Sequence, residues 1–154
     1  PEFAKDGKYA LQYAIDILDA PFPAGEPAIL SSKWYPDQYA RLILKNHRSP
    51  SWEQLIKDDP IKSLDYALAR NQPFPAGEPA ILSNDETCLG YTLSILTTHH
   101  SPSWEKLIKD DAEEAYNYAV FTKKRFPVGE PAIASALGFA KHYDKKFGTN
   151  LSQQ

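Results

Sequence analysis

Hydrophobic residues recur along this chain at the spacing of one helix face. Apolar side chains fall three, four and seven residues apart over stretches such as residues 9–18 and 89–96, which is typical of amphipathic helices. The apolar runs are only a few residues long, well short of the roughly 20 that a membrane-spanning helix needs. The pattern therefore predicts an all-α protein with no membrane span, and a strand within residues 49–60 or 101–112 would contradict it.

Two sequence blocks return at a fixed distance. FPAGEPAIL begins at Phe22, returns unchanged at Phe74 and appears as FPVGEPAIA at Phe126, each time after 52 residues. SPSWEQLIKDD begins at Ser49 and returns as SPSWEKLIKDD at Ser101, again after 52 residues. A fixed internal period of this kind indicates a repeat architecture.

Each 52-residue block divides into two units of about 26 residues. Each unit has a position at which a helix cap is expected, then a tyrosine and, in the first five units, a glutamate. The capping positions are Asp6, Ser32, Asp59, Asn84, Asp111 and Ala136, of which only the last is not a capping type; the tyrosines are Tyr13, Tyr39, Tyr66, Tyr91, Tyr118 and Tyr143; the glutamates are Glu26, Glu53, Glu78, Glu105 and Glu130. The cap-to-Tyr distance is always seven residues, the Glu-to-cap distance is always six, and the Tyr-to-Glu distance varies as 13, 14, 12, 14 and 12. Two fixed elements and one adjustable loop are typical of a helix pair.

The capping residues predict where the helices begin. Asp59 is followed by Pro60, which the first helical position accepts, and Asp111 is followed three residues later by Glu114, as in a capping box. A long helix should follow each cap, and a short one should begin near each repeat Glu, with Ser51 as a cap in its unit. Because so small a pair cannot bury its apolar face alone, the units should stack into a short α-solenoid of six units.

The domain prediction follows from the same pattern. Residues 4–154 should form a single α-helical repeat domain. Pro1-Glu2-Phe3 resembles the remnant of a cloning site, so residues 1–3 are excluded from the fold prediction.

The repeat itself resembles a known family. Its units read YAIDILDAPFPAGEPAI from Tyr13 and YAVFTKKRFPVGEPAI from Tyr118, which is similar to repeats in uncharacterised proteins of tailed bacteriophages. The resemblance covers the chain after Phe3 and implies a location in the host cytoplasm, but it implies no activity. The Ser-Pro-Ser-Trp-Glu units at Ser49 and Ser101 depart from that pattern.

Composition narrows the classes of function. The net charge of −3 provides no broad basic surface for a phosphate backbone, so nucleic-acid binding is disfavoured. Cys88 is the single cysteine, so nothing indicates an oxidising compartment and a cytoplasmic location is expected.

The five repeat glutamates and two tryptophans are the candidate binding residues. Glu26, Glu53, Glu78, Glu105 and Glu130 could form an acidic ladder for a basic partner, or each could anchor its own helix turn. Trp52 and Trp104 precede two of these glutamates. Such tryptophans either anchor a partner or pack at the junction between helices.

No motif predicts catalysis, a metal or a cofactor. His47, His99, His100 and Cys88 lack metal-ligand spacing, and no nucleophile motif accompanies Cys88. We therefore expect a protein-binding scaffold and not an enzyme. Recognition of single-stranded RNA by helical repeats and self-assembly through exposed terminal units are the alternatives.

Overall fold

The computed structural model describes residues 2–154, and these contain eleven α-helices and no β-strand. The helices are α1 (Gly7–Gln12), α2 (Glu26–Leu30), α3 (Tyr35–Tyr39), α4 (Pro50–Ile56), α5 (Pro60–Arg70), α6 (Glu78–Leu82), α7 (Asp85–Tyr91), α8 (Pro102–Ile108), α9 (Ala112–Thr122), α10 (Glu130–Ala134) and α11 (Leu137–Phe147). Short 3₁₀ turns cover Glu2–Lys5, Pro75–Gly77, Pro127–Gly129 and Leu151–Gln153. The all-helical class predicted from the sequence is confirmed. The chain forms two compact regions, an N-terminal region up to Cys88 and a C-terminal region from Leu89.

The repeats are numbered 1 to 6 from the six capping positions, and most of their long helices begin where the sequence predicts. Asp6, Asp59 and Asp111 each accept a backbone N–H bond from the first turn of the helix that follows. Asn84 does the same for the N–H of Thr87 at 3.0 Å. Ala136 is the N-cap of α11 and offers no side-chain bond.

Two predicted caps are placed differently. The long helix of repeat 2 begins at Tyr35, so Ser32 accepts the Trp34 N–H outside the helix instead of capping it. Ser49, not Ser51, is the N-cap of α4. Pro50 occupies the first position of α4, where its missing N–H costs nothing, and the extended backbone of Ser49 directs its hydroxyl to the N–H of Trp52 at 3.4 Å.

The long helices end in two ways that follow the spacing of the repeats. Repeats 1, 2 and 4, in which Tyr and Glu are 13 or 14 residues apart, continue as π-helices over Tyr13–Leu18, Ala40–Leu44 and Thr92–Leu96. Repeats 3 and 5, with a distance of 12, remain α-helical to their ends at the left-handed residues Asn71 and Lys123. The π-helix of repeat 1 also ends at a left-handed residue, Asp19. Since a π-turn takes an additional residue into the helix, part of the length variation predicted for a loop lies inside the helix.

Small residues set how closely the elements pack. Ala14 and Ala119, each following a repeat tyrosine, are fully buried, so neighbouring elements approach closely at these points. Gly77 has a similar role, because a Cβ there would lie 2.4 Å from the Phe74 ring. This contact explains the glycine of the Phe-Pro-x-Gly-Glu motif.

Phe3 takes part in the fold although residues 1–3 were left out of the prediction. Its ring lies 4.7 Å from that of Tyr13 and 5.8 Å from that of Phe22, measured between centroids. The turn that contains it, Glu2–Lys5, packs against both α1 and α2. The packed core therefore begins at Phe3.

Candidate functional site

A hydrogen bond between a tyrosine and a glutamate joins successive repeats. The hydroxyls of four repeat tyrosines are seen to donate to the glutamate 13 residues earlier, which lies on the short helix of the preceding repeat. The pairs are Tyr39–Glu26 at 2.9 Å, Tyr66–Glu53 at 2.8 Å, Tyr118–Glu105 at 2.8 Å and Tyr143–Glu130 at 3.0 Å. Burial raises the pKa of Tyr39, Tyr66 and Tyr143, so these phenols stay protonated as donors. These pairs could be recognised in the sequence, because the constant Glu-to-cap and cap-to-Tyr distances place a tyrosine 13 residues after each repeat glutamate.

An arginine or histidine five residues before the glutamate provides a second partner in three repeats. Arg48 donates two bonds of 2.8 Å to Glu53, and Arg125 binds Glu130 in the same way. His100 takes this position beside Glu105, with 3.1 Å between its Nε2 and the carboxylate. The Arg48 guanidinium holds the pKa of Glu53 below its usual value, with a further contribution from the Tyr66 hydroxyl.

Glu26 is held by hydroxyl groups instead of a cation. Its carboxylate accepts bonds from Tyr39 and from the serines Ser49 and Ser51, and Glu26 is 0% exposed. Glu78 is equally buried. These two members of the predicted acidic ladder therefore present no carboxylate to a partner, and the geometry favours the alternative in which the glutamates hold the helices.

The two candidate tryptophans lie inside the protein. Trp52 and Trp104 are 2% and 1% exposed, and their rings pack at 5.0 and 5.1 Å from those of Tyr39 and Tyr91. The indole N–H of Trp104 is buried and finds no acceptor among the described residues. In this structure both side chains fill the junction between helices and offer a partner no surface.

Equivalent grooves lie beside two of the tyrosine–glutamate pairs, one in each region. The groove at Tyr66 and Glu53 has a volume of about 350 Å³, and the groove at Tyr118 and Glu105 has a volume of about 220 Å³. The first is also lined by Arg48, Arg70, Gln72, Pro73, Phe74, Pro75 and Ala76, and the second by Leu96, Thr97, Thr98, His99, His100, Thr122, Lys124 and Arg125. In each groove the carboxylate is already bound, by Tyr66 and Arg48 in the first and by Tyr118 and His100 in the second.

The histidines and the cysteine do not assemble into a ligand set. Cys88 is buried, and His99 Nδ1 faces the Thr98 hydroxyl at 2.9 Å. Over residues 2–154, no group of three or more His, Cys, Asp or Glu side chains could hold a metal ion. None of the helices in this range is both long and apolar enough to cross a membrane.

Several large apolar side chains remain on the surface at matching repeat positions. Leu55 and Leu107, each two residues after a repeat glutamate and 52 residues apart, are 44% and 42% exposed. On the long helices, Leu68 and Leu93 each lie two residues after a repeat tyrosine and are also exposed. These residues were not among the predicted binding residues, although Leu55 and Leu107 recur 52 residues apart in the sequence.

Comparison with known protein families, characterised proteins and solved structures gives no match.

Proposed function

We propose that the chain is a protein-binding scaffold whose helix pairs stack as a short α-solenoid, and that Leu55 in the N-terminal region and Leu107 in the C-terminal region each belong to a binding surface. The observation that carries the proposal is the exposure of these two leucines at one repeat position. At each of these two positions, which are 52 residues apart in the sequence, a leucine on the outside of a short helix offers an apolar anchor. Stacked helical repeats ordinarily use such surfaces to bind partners.

The charge distribution supports a protein partner over RNA. Arg48 and Arg125 are bound to Glu53 and Glu130, so two of the most prominent cations are already neutralised. The whole chain carries a net charge of −3. Binding to a phosphate backbone draws most of its affinity from several unpaired Lys and Arg side chains, which this arrangement does not favour.

The tethered chain should retain a stoichiometric protein from a lysate of the source or host cell, before and after nuclease treatment. The double variant Leu55→Ser, Leu107→Ser should lose that protein, while its circular dichroism spectrum stays unchanged. Leu68→Ser is the matched control, because Leu68 is also 42% exposed but lies on a long helix. Recovery that disappears with nuclease would favour RNA binding instead, and full retention by the double variant would refute the proposed surface.

A further inference from the structure

Two nearly identical segments of the chain differ in the side chain that faces their glutamate. RSPSWEQLIKDD begins at Arg48 and returns as HSPSWEKLIKDD at His100, with only two differences. One of them, Gln54 against Lys106, concerns exposed side chains on the short helices. The other exchanges an arginine for a histidine five residues before the repeat glutamate. Because histidine changes its charge between pH 5 and pH 8 and arginine does not, the two segments should respond differently to pH.

The contact that His100 makes is weaker than the one that Arg48 makes. Arg48 donates two bonds of 2.8 Å to Glu53, whereas His100 brings one ring nitrogen, Nε2, to 3.1 Å from Glu105. The Glu105 side chain is 25% exposed, and that of Glu53 is 10% exposed. A neutral imidazole has one N–H to donate, and protonation adds a charge that strengthens its bond to a carboxylate. The contact at Glu105 should therefore tighten when His100 takes up a proton.

Glu105 connects three parts of the C-terminal region. It lies in the first turn of α8, and it accepts a bond of 2.8 Å from the Tyr118 hydroxyl in α9. His100 belongs to the segment that precedes α8. A stronger bond between His100 and Glu105 therefore holds the carboxylate more firmly at the point where α8 meets α9.

The other charged and titratable groups around His100 are mostly cationic. Those that line the same groove, besides Glu105 and Tyr118, are His99, Lys124 and Arg125. Arg125 is bound to Glu130, which balances its charge, and His99 turns its Nδ1 to the Thr98 hydroxyl at 2.9 Å. Repulsion from these cations reduces the effect of protonating His100. The direct contact with Glu105 gives the effect its direction.

We propose that acid tightens the contact between α8 and α9 through protonation of His100. The added stabilisation is present below about pH 6.5, the ordinary pKa of a histidine side chain, and is lost as the pH rises above it. The corresponding contact between α4 and α5, which Arg48 supports, should not respond in this range. The inference concerns how firmly α8 is held and does not depend on what Leu107 on this helix binds.

Amide hydrogen exchange at pH 5.5 and pH 7.5, corrected for the intrinsic effect of pH on exchange, tests the proposal on the unaltered chain. Protection of the α8 amides should be about twofold to fourfold higher at pH 5.5, as expected for an exposed ion pair. Protection of the α4 amides should be the same at both pH values, so α4 is an internal control of nearly the same sequence. Equal protection of α8 at the two pH values, or an equal change in α4 and α8, would overturn the proposal.

Three variants assign the effect to one side chain. In His100→Gln the side chain can still donate a bond but cannot take up a charge, so the pH dependence of α8 protection should disappear. His100→Arg should also be independent of pH, with α8 protected at least as well as in the unaltered chain at pH 5.5. His99→Gln is the matched control and should retain the difference. A His100→Gln variant that keeps the difference, or a His99→Gln variant that loses it, would place the effect on another group and refute the proposed role of His100.

Discussion

Removal of one phenol hydroxyl tests whether the tyrosine–glutamate bonds hold the repeats together. Tyr39 is 0% exposed, donates to Glu26 and accepts the Phe22 N–H at 2.9 Å. In Tyr39→Phe the ring remains, but the carboxylate loses a donor and the N–H loses its acceptor. A hydrogen bond to a charged group contributes about 1.5–3 kcal/mol, and an unpaired buried N–H costs about 1–3 kcal/mol.

We expect Tyr39→Phe to lower the free energy of unfolding by about 2–4 kcal/mol. The value should lie below the full sum because Ser49 and Ser51 continue to donate to Glu26. The same change at Tyr13 is the matched control, since the Tyr13 hydroxyl makes no hydrogen bond within the described chain. Tyr13→Phe should stay within about 0.5 kcal/mol of the unaltered protein.

Urea unfolding followed by far-ultraviolet circular dichroism gives both values. The dependence of the free energy on urea should be the same for the three proteins, so that the midpoints can be compared directly. Equal midpoints for Tyr39→Phe and Tyr13→Phe would refute the reasoning, because the two variants differ in whether the lost hydroxyl was bonded to a glutamate.

Three further changes test other contacts. Ala136→Asp should supply the missing cap of α11 and raise the free energy of unfolding by about 1 kcal/mol, seen as a higher melting temperature; no increase would mean that α11 needs no cap. His100→Arg should reproduce the Arg48–Glu53 pair and stabilise the protein at pH 8 by less than about 1 kcal/mol, because the side chain is exposed; a lower melting temperature would contradict this. The pKa of Glu53 lies below its unfolded value, so its contribution is present above pH about 4.3 and is lost as the pH falls through the folded pKa. Arg48→Met should therefore lose less stability than the unaltered chain between pH 7 and pH 3, measured by urea midpoints at both values.

The helices could be predicted from the sequence because their signals are local. Asp59 and Asp111 cap the helices that follow them as expected, since a cap requires only that a side-chain oxygen reach an N–H two or three residues ahead. The error at Ser51 has a local cause as well. Ser49 and Ser51 both precede the repeat glutamate, and the position of Pro50 decides between them.

Whether the repeat side chains are buried or exposed could not be predicted, because their burial depends on contacts between elements. A period of 52 residues shows that Trp52 and Trp104 share an environment, but it does not show whether that environment is the core or the surface. The deciding contacts are the rings of Tyr39 and Tyr91, which belong to other helices. The π-helices could not be predicted for a similar reason. A longer Tyr-to-Glu distance does not show whether the additional residue lies in a helix or in a loop.

The spacing between each repeat glutamate and the next repeat tyrosine fixes the hydrogen bond between them, but it does not fix the second partner of the carboxylate. A constant distance of 13 residues between Glu and the next Tyr is needed because the hydrogen bond joins two rigid helices through a turn of fixed length. The second partner of each carboxylate obeys no such constraint. It is Arg48 for Glu53, His100 for Glu105 and a pair of serines for Glu26. A conserved spacing with variable second partners is what we expect when the tyrosine bond sets the geometry and the remaining groups only neutralise or saturate the carboxylate.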